Sequence, residues 1–326
     1  MRFALVLAAL APVFAQDEEQ LTLKFKYAAG ERETMGMKLH MRMDVGVYAG
    51  AETFEQKMEG PMGFSLGLSC KTVGEGKFGF EGEMGGLEVN QDMVVNGMNM
   101  KMSIKGKNLR VENAEGEAVI DTEKGVNAEA ADEILKEFSA FGQKFELAMD
   151  ERGLVKGLSE NEKIKEFFGG MAGENLYPVV LPDKTVKIGE EWTYVAKMKE
   201  LGKLKLSGEG VEVPLKYRLE HVEAAGGGAR VAVIVVKQET ALKDLELEGD
   251  LEGLPAGAKI LIKSMKVTGK GETRFLIDSG RIQTSEFEAQ AKAEMKIKIE
   301  GMDEMEGVVD VKIKAKAAPK KEEPAK

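Results

Sequence analysis

Methionine is the residue type whose spacing in this chain comes nearest to chemistry. Met35, Met37, Met41 and Met43 fall on alternate positions of one segment, and Met98-x-Met100-x-Met102 repeats the form. In an extended chain alternate side chains share a face, so each set presents thioethers side by side. Soft thioethers select Cu(I), and a periplasmic Cu(I)-binding protein using Met-x-Met strands is one expectation. The other is that methionine, flexible and apolar, lines an adaptable wall. Leu39, Val45, Val47 and Ile104 continue the stripes without a break, and His40 falls on the opposite face. Both facts favour the wall.

A second clue is volume. Ala289, Ala291 and Ala293, followed by Met295, put small side chains at successive positions of one strand face. Facing methionines, they leave room for an apolar guest. The competing expectation is that a helix such as 128–141 packs closely there.

Other chemistry has little material. His40 and His221 are the only two histidines, too few for a His-based zinc site or a conventional triad. His40 reads as a solvent-facing strand residue, His221 as a core histidine at a strand end and Trp192 as a core anchor. The carboxylates Glu286, Glu288, Glu294 and Glu300 recur as a solvated face requires. Gly226-Gly-Gly228 lacks the Lys-Ser/Thr of a phosphate loop and reads as a turn. Cys70 is the single cysteine, which excludes an intramolecular disulfide framework. No catalytic residue, metal site or cofactor is implied, and the expectation is a non-enzyme.

The elements that must position these residues are strands. Alternation marks Leu21–Tyr27, Met35–Val47, Met58–Cys70, Phe78–Met84, Met98–Ile104, Val211–His221 and Phe287–Ile299, with glycine turns between them. Val231–Val236 is continuously apolar, as in a strand covered on both sides. Two amphipathic helices interrupt the series. One follows Asn127, a favoured N-cap, and carries Ala131, Ile134, Leu135, Phe138 and Phe141; the other follows the capping box at 159–162 and carries Ile164, Phe167 and Phe168. The fold class expected is mainly β (α+β), with long antiparallel curved sheets and both helices on the apolar face.

Residues 1–15 combine one basic residue, a short apolar run and a small-residue exit, as in a cleaved signal peptide. Export to the periplasm or beyond follows, with no transmembrane segment. A proline-punctuated stretch from Leu176 to Ile188 divides a first β-rich half, 16–175, from a second, 176–314. From Ala315 to residue 326 the composition predicts a disordered tail. The halves look like diverged copies: Gly30-Glu31 and Gly189-Glu190 enter them, and the turns Asp150–Gly153 and Asp278–Gly280 close them. A net charge of -10 argues against nucleic acid and against anionic headgroups.

The signal peptide, the Gly30-Glu31 strand entry, the segment Leu181-Pro182-x-x-x-Val186-x-Ile188-Gly189-Glu190-x-Trp192 and the closing turn Phe275-x-x-Asp278-x-Gly280-x-Ile282 resemble an uncharacterised family of exported bacterial β-rich proteins of unknown function. The resemblance implies an envelope location and a non-enzymatic role, and an envelope protein is a further expected partner. At fold level the one-faced strands are similar to the half-barrels of lipoproteins and lipid carriers, which implies an apolar small molecule or lipid as ligand.

Overall fold

The computed structural model describes residues 20–49, 52–158, 163–165, 177–198, 200–201, 204–207, 210–248, 259–299 and 304–320. The first series is β1 (Arg32–Ala49), β2 (Glu52–Gly74), β3 (Lys77–Val95), β4 (Met98–Lys105), β5 (Asn108–Asn113), β6 (Ala118–Asp121), helix α1 (Ala128–Glu137), β7 (Lys144–Asp150) and β8 (Val155–Leu158). The second is β9 (Glu191–Met198), β10 (Glu200–Leu201), β11 (Leu204–Leu206), β12 (Val211–Ala224), β13 (Arg230–Glu248), β14 (Lys259–Leu276), β15 (Arg281–Lys298) and β16 (Met305–Pro319). All sixteen strands belong to one curved antiparallel sheet, which does not close into a barrel among the described residues.

Within that sheet two meanders follow the same path. β1, β2, β3, β7 and β8 hydrogen-bond in sequence, and so do β9, β12, β13, β14 and β15. Their entrances match atom for atom. Gly30, at φ +86°, donates its N–H to Cys70 O at 2.8 Å, and Cys70 N–H returns to Glu31 O at 2.8 Å. Gly189, at φ +84°, donates to Leu219 O at 2.7 Å, and Leu219 N–H returns to Glu190 O at 3.1 Å. A left-handed residue is required in each turn, and glycine adopts that conformation without steric cost. Glu31 and Glu190 complete the match by accepting the N–H groups of Ala28 and Lys187.

β16 joins the halves. It pairs with β15 along one edge and with β1 along the other. This pairing carries the strand through Ala315 to Pro319, where composition alone placed the start of a disordered tail. The flanking strands supply hydrogen-bond partners that no local signal in the tail announces.

The main core lies where the two meanders face each other. It gathers Met35, Leu66, Leu68, Phe78 and Phe80 from one side and Trp192, Tyr217, Leu219, Ile234 and Phe275 from the other. Between them run two extended segments, with Leu21, Leu23, Phe25 and Tyr27 buried on one and Tyr177, Val179, Val180, Leu181 and Val186 on the other. The first of these is not a sheet strand. Its Leu21 exchanges two hydrogen bonds with Val186, Phe25 N–H reaches Glu151 O at 2.8 Å and Lys26 N–H reaches Gly280 O at 3.3 Å. One segment thus crosses both closing turns. Trp192 anchors this end, donating Nε1–H to Val180 O at 2.8 Å and stacking on Tyr217.

α1 covers a different part of the face. Ala131 is buried and Ile134, Leu135 and Phe138 pack with Val89, Ile104, Leu109 and Val111, over β3 to β5 and not over the alanines of β15. Asn127 does not cap it by its side chain; it takes the left-handed conformation at φ 49° that Asn tolerates. Of the second expected helix, residues 163–165 are helical with Ile164 buried, and the rest lies outside the described residues, as does the expected signal peptide.

Candidate functional site

At the closed end the chemistry is polar but committed to structure. Tyr27 donates to Glu33 Oε2 at 2.7 Å, and Tyr177 lies 2.7 Å from the Tyr27 hydroxyl and 3.2 Å from Glu33. With the Tyr27 proton given to Glu33, Tyr177 donates to Tyr27, and the chain of bonds ends on the carboxylate. Burial, and after it the nearby charges, push both phenols above their ordinary range. Arg281 lies 3.5 Å over the Tyr27 ring and 2.6 Å from Glu31. Cys70 is fully buried, and desolvation raises its thiol, so it is a poor nucleophile.

Beyond the core the long strands continue, and their inward face stays partly open. Leu39, Met41, Met43 and Val45 of β1, Met58 of β2, Ala289 and Ala291 of β15, and Val309, Val311 and Ile313 of β16 are all half-buried. Among the described residues none of them enters any of the three buried clusters or packs against one. They form an apolar floor. Pairing register continues it into the flanking clusters: Val267, Ala291, Val311, Met43, Met58, Met93 and Met100 stand directly opposite one another on β14, β15, β16, β1, β2, β3 and β4, and Val267, Met93 and Met100 already pack against buried residues. At the usual interstrand spacing that row is about 29 Å wide.

A break in the ladder marks the middle of this floor. Gly60 faces inward opposite Met41, and Pro61 follows it in β2, a central strand where proline removes a donor. A Cβ on Gly60 would lie 2.0 Å from Asn90 O, so only glycine fits. Over this gap the Gln91 carboxamide leans from β3 and donates Nε2–H to Gly60 O at 3.2 Å. Gln91 is 4% exposed, and its Oε1 has no partner among the described residues. At the β13 side of the floor Thr240, opposite Val267, carries a buried hydroxyl that also lacks one.

The outer face is charged. Lys38, His40 and Arg42 of β1 stand directly opposite Lys316, Lys314 and Lys312 of β16. Carboxylates on the neighbouring positions offset this: Glu286 lies 2.5 Å from Lys316, Glu288 3.1 Å from Lys314 and Asp44 3.1 Å from Arg42. His40 is exposed, 3.4 Å from Glu59. His221, expected in the core, is exposed as well. A register shift between Leu219 and His221 turns it outward onto Glu223, which also pairs with Arg274.

The structure therefore sorts the residues singled out in the sequence. Met41, Met43, Ala289 and Ala291 come together on the floor. Met35 is buried in the main core, with Met37 packed against it. Ala293 and Met295 pack on a second cluster built on Ile260, Ile262 and Ile297, and Met100 and Met102 pack in the cluster under α1. Met98, 63% exposed, sits at a hairpin tip and lines nothing. The floor's remaining residues, Val309, Val311 and Ile313, lie on a strand whose alternation is plain in the sequence, whereas Gln91 and Thr240 carry no signal of their own.

No protein-family model matches the chain, and no curated protein does. Among solved structures it is similar to one titled for lipid–protein interactions in lipovitellin, at 7% identity and a TM-score of 0.40, covering 92% of this chain and 26% of that one. An outer-membrane channel of Pseudomonas putida F1 aligns at 9% identity and a TM-score of 0.17, covering 89% and 97%. OccK5 of Pseudomonas aeruginosa aligns at 8% and 0.22, covering 90% and 100%. The chain spans about a quarter of the lipovitellin chain. Among the described residues no helix is long and apolar enough to cross a membrane, and no group of three or more His, Cys, Asp or Glu side chains is placed to hold a metal ion.

Proposed function

We propose that this protein is an exported, non-enzymatic binding or scaffold protein of the cell envelope that holds an apolar or lipid-like ligand on its open sheet face. One observation carries the reading. A continuous apolar floor, bounded by three packed clusters, is itself left half-exposed. Contiguous apolar surface of this kind marks an interaction site in a water-soluble setting, and methionine and alanine give it adaptable walls with spare volume. Gross burial at roughly 25 cal/mol per Å² is partly cancelled by the cost of association, so an elongated ligand that follows the floor binds better than a compact one.

Native mass spectrometry of protein purified from its own source, with Nile red uptake by the same sample, tests this. A bound apolar adduct and a blue-shifted dye signal that Ala291→Trp removes are expected. Protein that arrives without an adduct and takes up no dye overturns the proposal.

A second reading rests on the row Met43, Met58, Met93 and Met100, which register brings together from four strands. Such a row offers a soft Cu(I) ion neighbouring thioethers that single-strand Met-x-Met spacing does not. Cu(I) titration that saturates, and is abolished by Met58→Leu with Met93→Leu, is its expected outcome. A titration without saturation removes it.

A further inference from the structure

We propose that the floor takes an uncharged amphiphile whose head donates a hydrogen bond to Gln91 Oε1 above Gly60, the class that includes long-chain alcohols and monoacylglycerols. This rests on the floor being a ligand face and names the kind of ligand. Gln91 is held in one orientation, because only its NH2 can face the Gly60 carbonyl. Its carbonyl oxygen is therefore the orphan. A buried acceptor left unpaired is costly, and native proteins rarely leave one without a reason. The side chain leans from β3 to the carbonyl of Gly60 on β2, the residue paired with Met41, so its amide lies at the edge of the floor.

Charge selects against an anionic head. The inward positions around Gln91 on β1 to β4 include Leu39, Met41, Met58, Met62, Met93 and Met102, none of them a cation. The basic ladder of β1 and β16 stands on the other side of the sheet, because strand side chains alternate. α1, packed beside this region, carries Glu129, Asp132, Glu133 and Glu137 against the single Lys136. A carboxylate or phosphate here would face an acceptor oxygen and an acidic helix, whereas a hydroxyl supplies the proton that Gln91 lacks.

The test is displacement of Nile red from the full chain at pH 9 by 1-monopalmitoylglycerol and by palmitate, each below its critical micelle concentration. The monoglyceride is expected to compete at a concentration at least tenfold lower. Gln91→Leu should raise that concentration about tenfold and leave palmitate unchanged, with Gln91→Met as a second variant and far-UV circular dichroism as the control for folding. Palmitate competing as well as or better than the monoglyceride overturns the assignment of an uncharged head while the floor stands. A preference that survives in a folded Gln91 variant overturns the role of Gln91. Wild-type protein that binds no Nile red ends both this proposal and the broader one. Should both variants unfold, the order of the two competitors on the wild type decides.

Discussion

The two ends of this sheet are made from the same alternating residues and behave differently. At the closed end β1 to β3 and β12 to β14 face each other, two extended segments fill the gap, and Phe25, Tyr217 and Phe275 are almost wholly buried. Further along β1, and beside it on β15, Met41, Met43 and Ala291 meet no opposite wall among the described residues, and the face stays half-exposed. The contrast teaches that strand composition decides which side is apolar, while the facing strands and crossing segments decide whether that side is core or surface. Packing is concentrated at one end, and the other leaves its apolar face half-exposed.

The contrast breaks most severely at the closed end. Phe275→Ala is expected to cost about 3–5 kcal/mol by urea denaturation, because it opens a cavity beneath Phe25. Met43→Ala on the floor should cost less than half as much, since its side chain is already half in water. Equal losses would mean that the floor is as tightly packed as the core.

Gly60→Ala comes next. Its Cβ would meet Asn90 O at 2.0 Å and force β2 from β3, an overpacking worth roughly 1–3 kcal/mol or more. The same change at Gly36, where a Cβ meets only Ala318 O at 3.6 Å, should be far milder. Hydrogen exchange across β2 and β3 would show whether the damage is confined to the break.

Alkaline pH separates the two ends in another way. Burial raises Tyr27, Tyr177 and Tyr217 in the folded state, so between the unfolded tyrosine value of about 10 and the folded one only the unfolded chain releases these protons. Stability is therefore intact below about pH 10 and falls above it, by up to about 1.4 kcal/mol per pH unit for each phenol. Tyr27→Phe with Tyr177→Phe should flatten that slope in melting experiments between pH 9 and 11, and floor substitutions should not change it.

The smallest effect belongs to the seam. Like charges placed directly opposite cost a few tenths of a kcal/mol. Lys312→Glu, opposite Arg42, should raise the melting temperature slightly at low salt, and added salt should shrink the gain. A loss at low salt would show that the neighbouring carboxylates already overcompensate the ladder.

Much of this was legible in the residues. Phe64, Leu66, Leu68 and Cys70 are buried as their alternation predicts, Ala131 and Ile134 mark the packed stripe of α1, and Gly30-Glu31 and Gly189-Glu190 build the same turn. His221 escaped because a bulge, a local insertion with no sequence signature here, changes the face that follows it. The tail after Ala315 escaped because its strand is held by neighbours distant in sequence. Gln91 escaped because an orphaned oxygen depends on what surrounds it.

The sequence by itself determined most of the strands and their apolar sides and the turns that repeat, because alternation and turn conformation are local properties of the chain. Tertiary structure alone decided that β16 joins the halves, that four methionines from four strands form one row, and that the floor is half-buried, with no lid among the described residues. Each of these depends on register between strands far apart in sequence, and register is set when the whole sheet assembles.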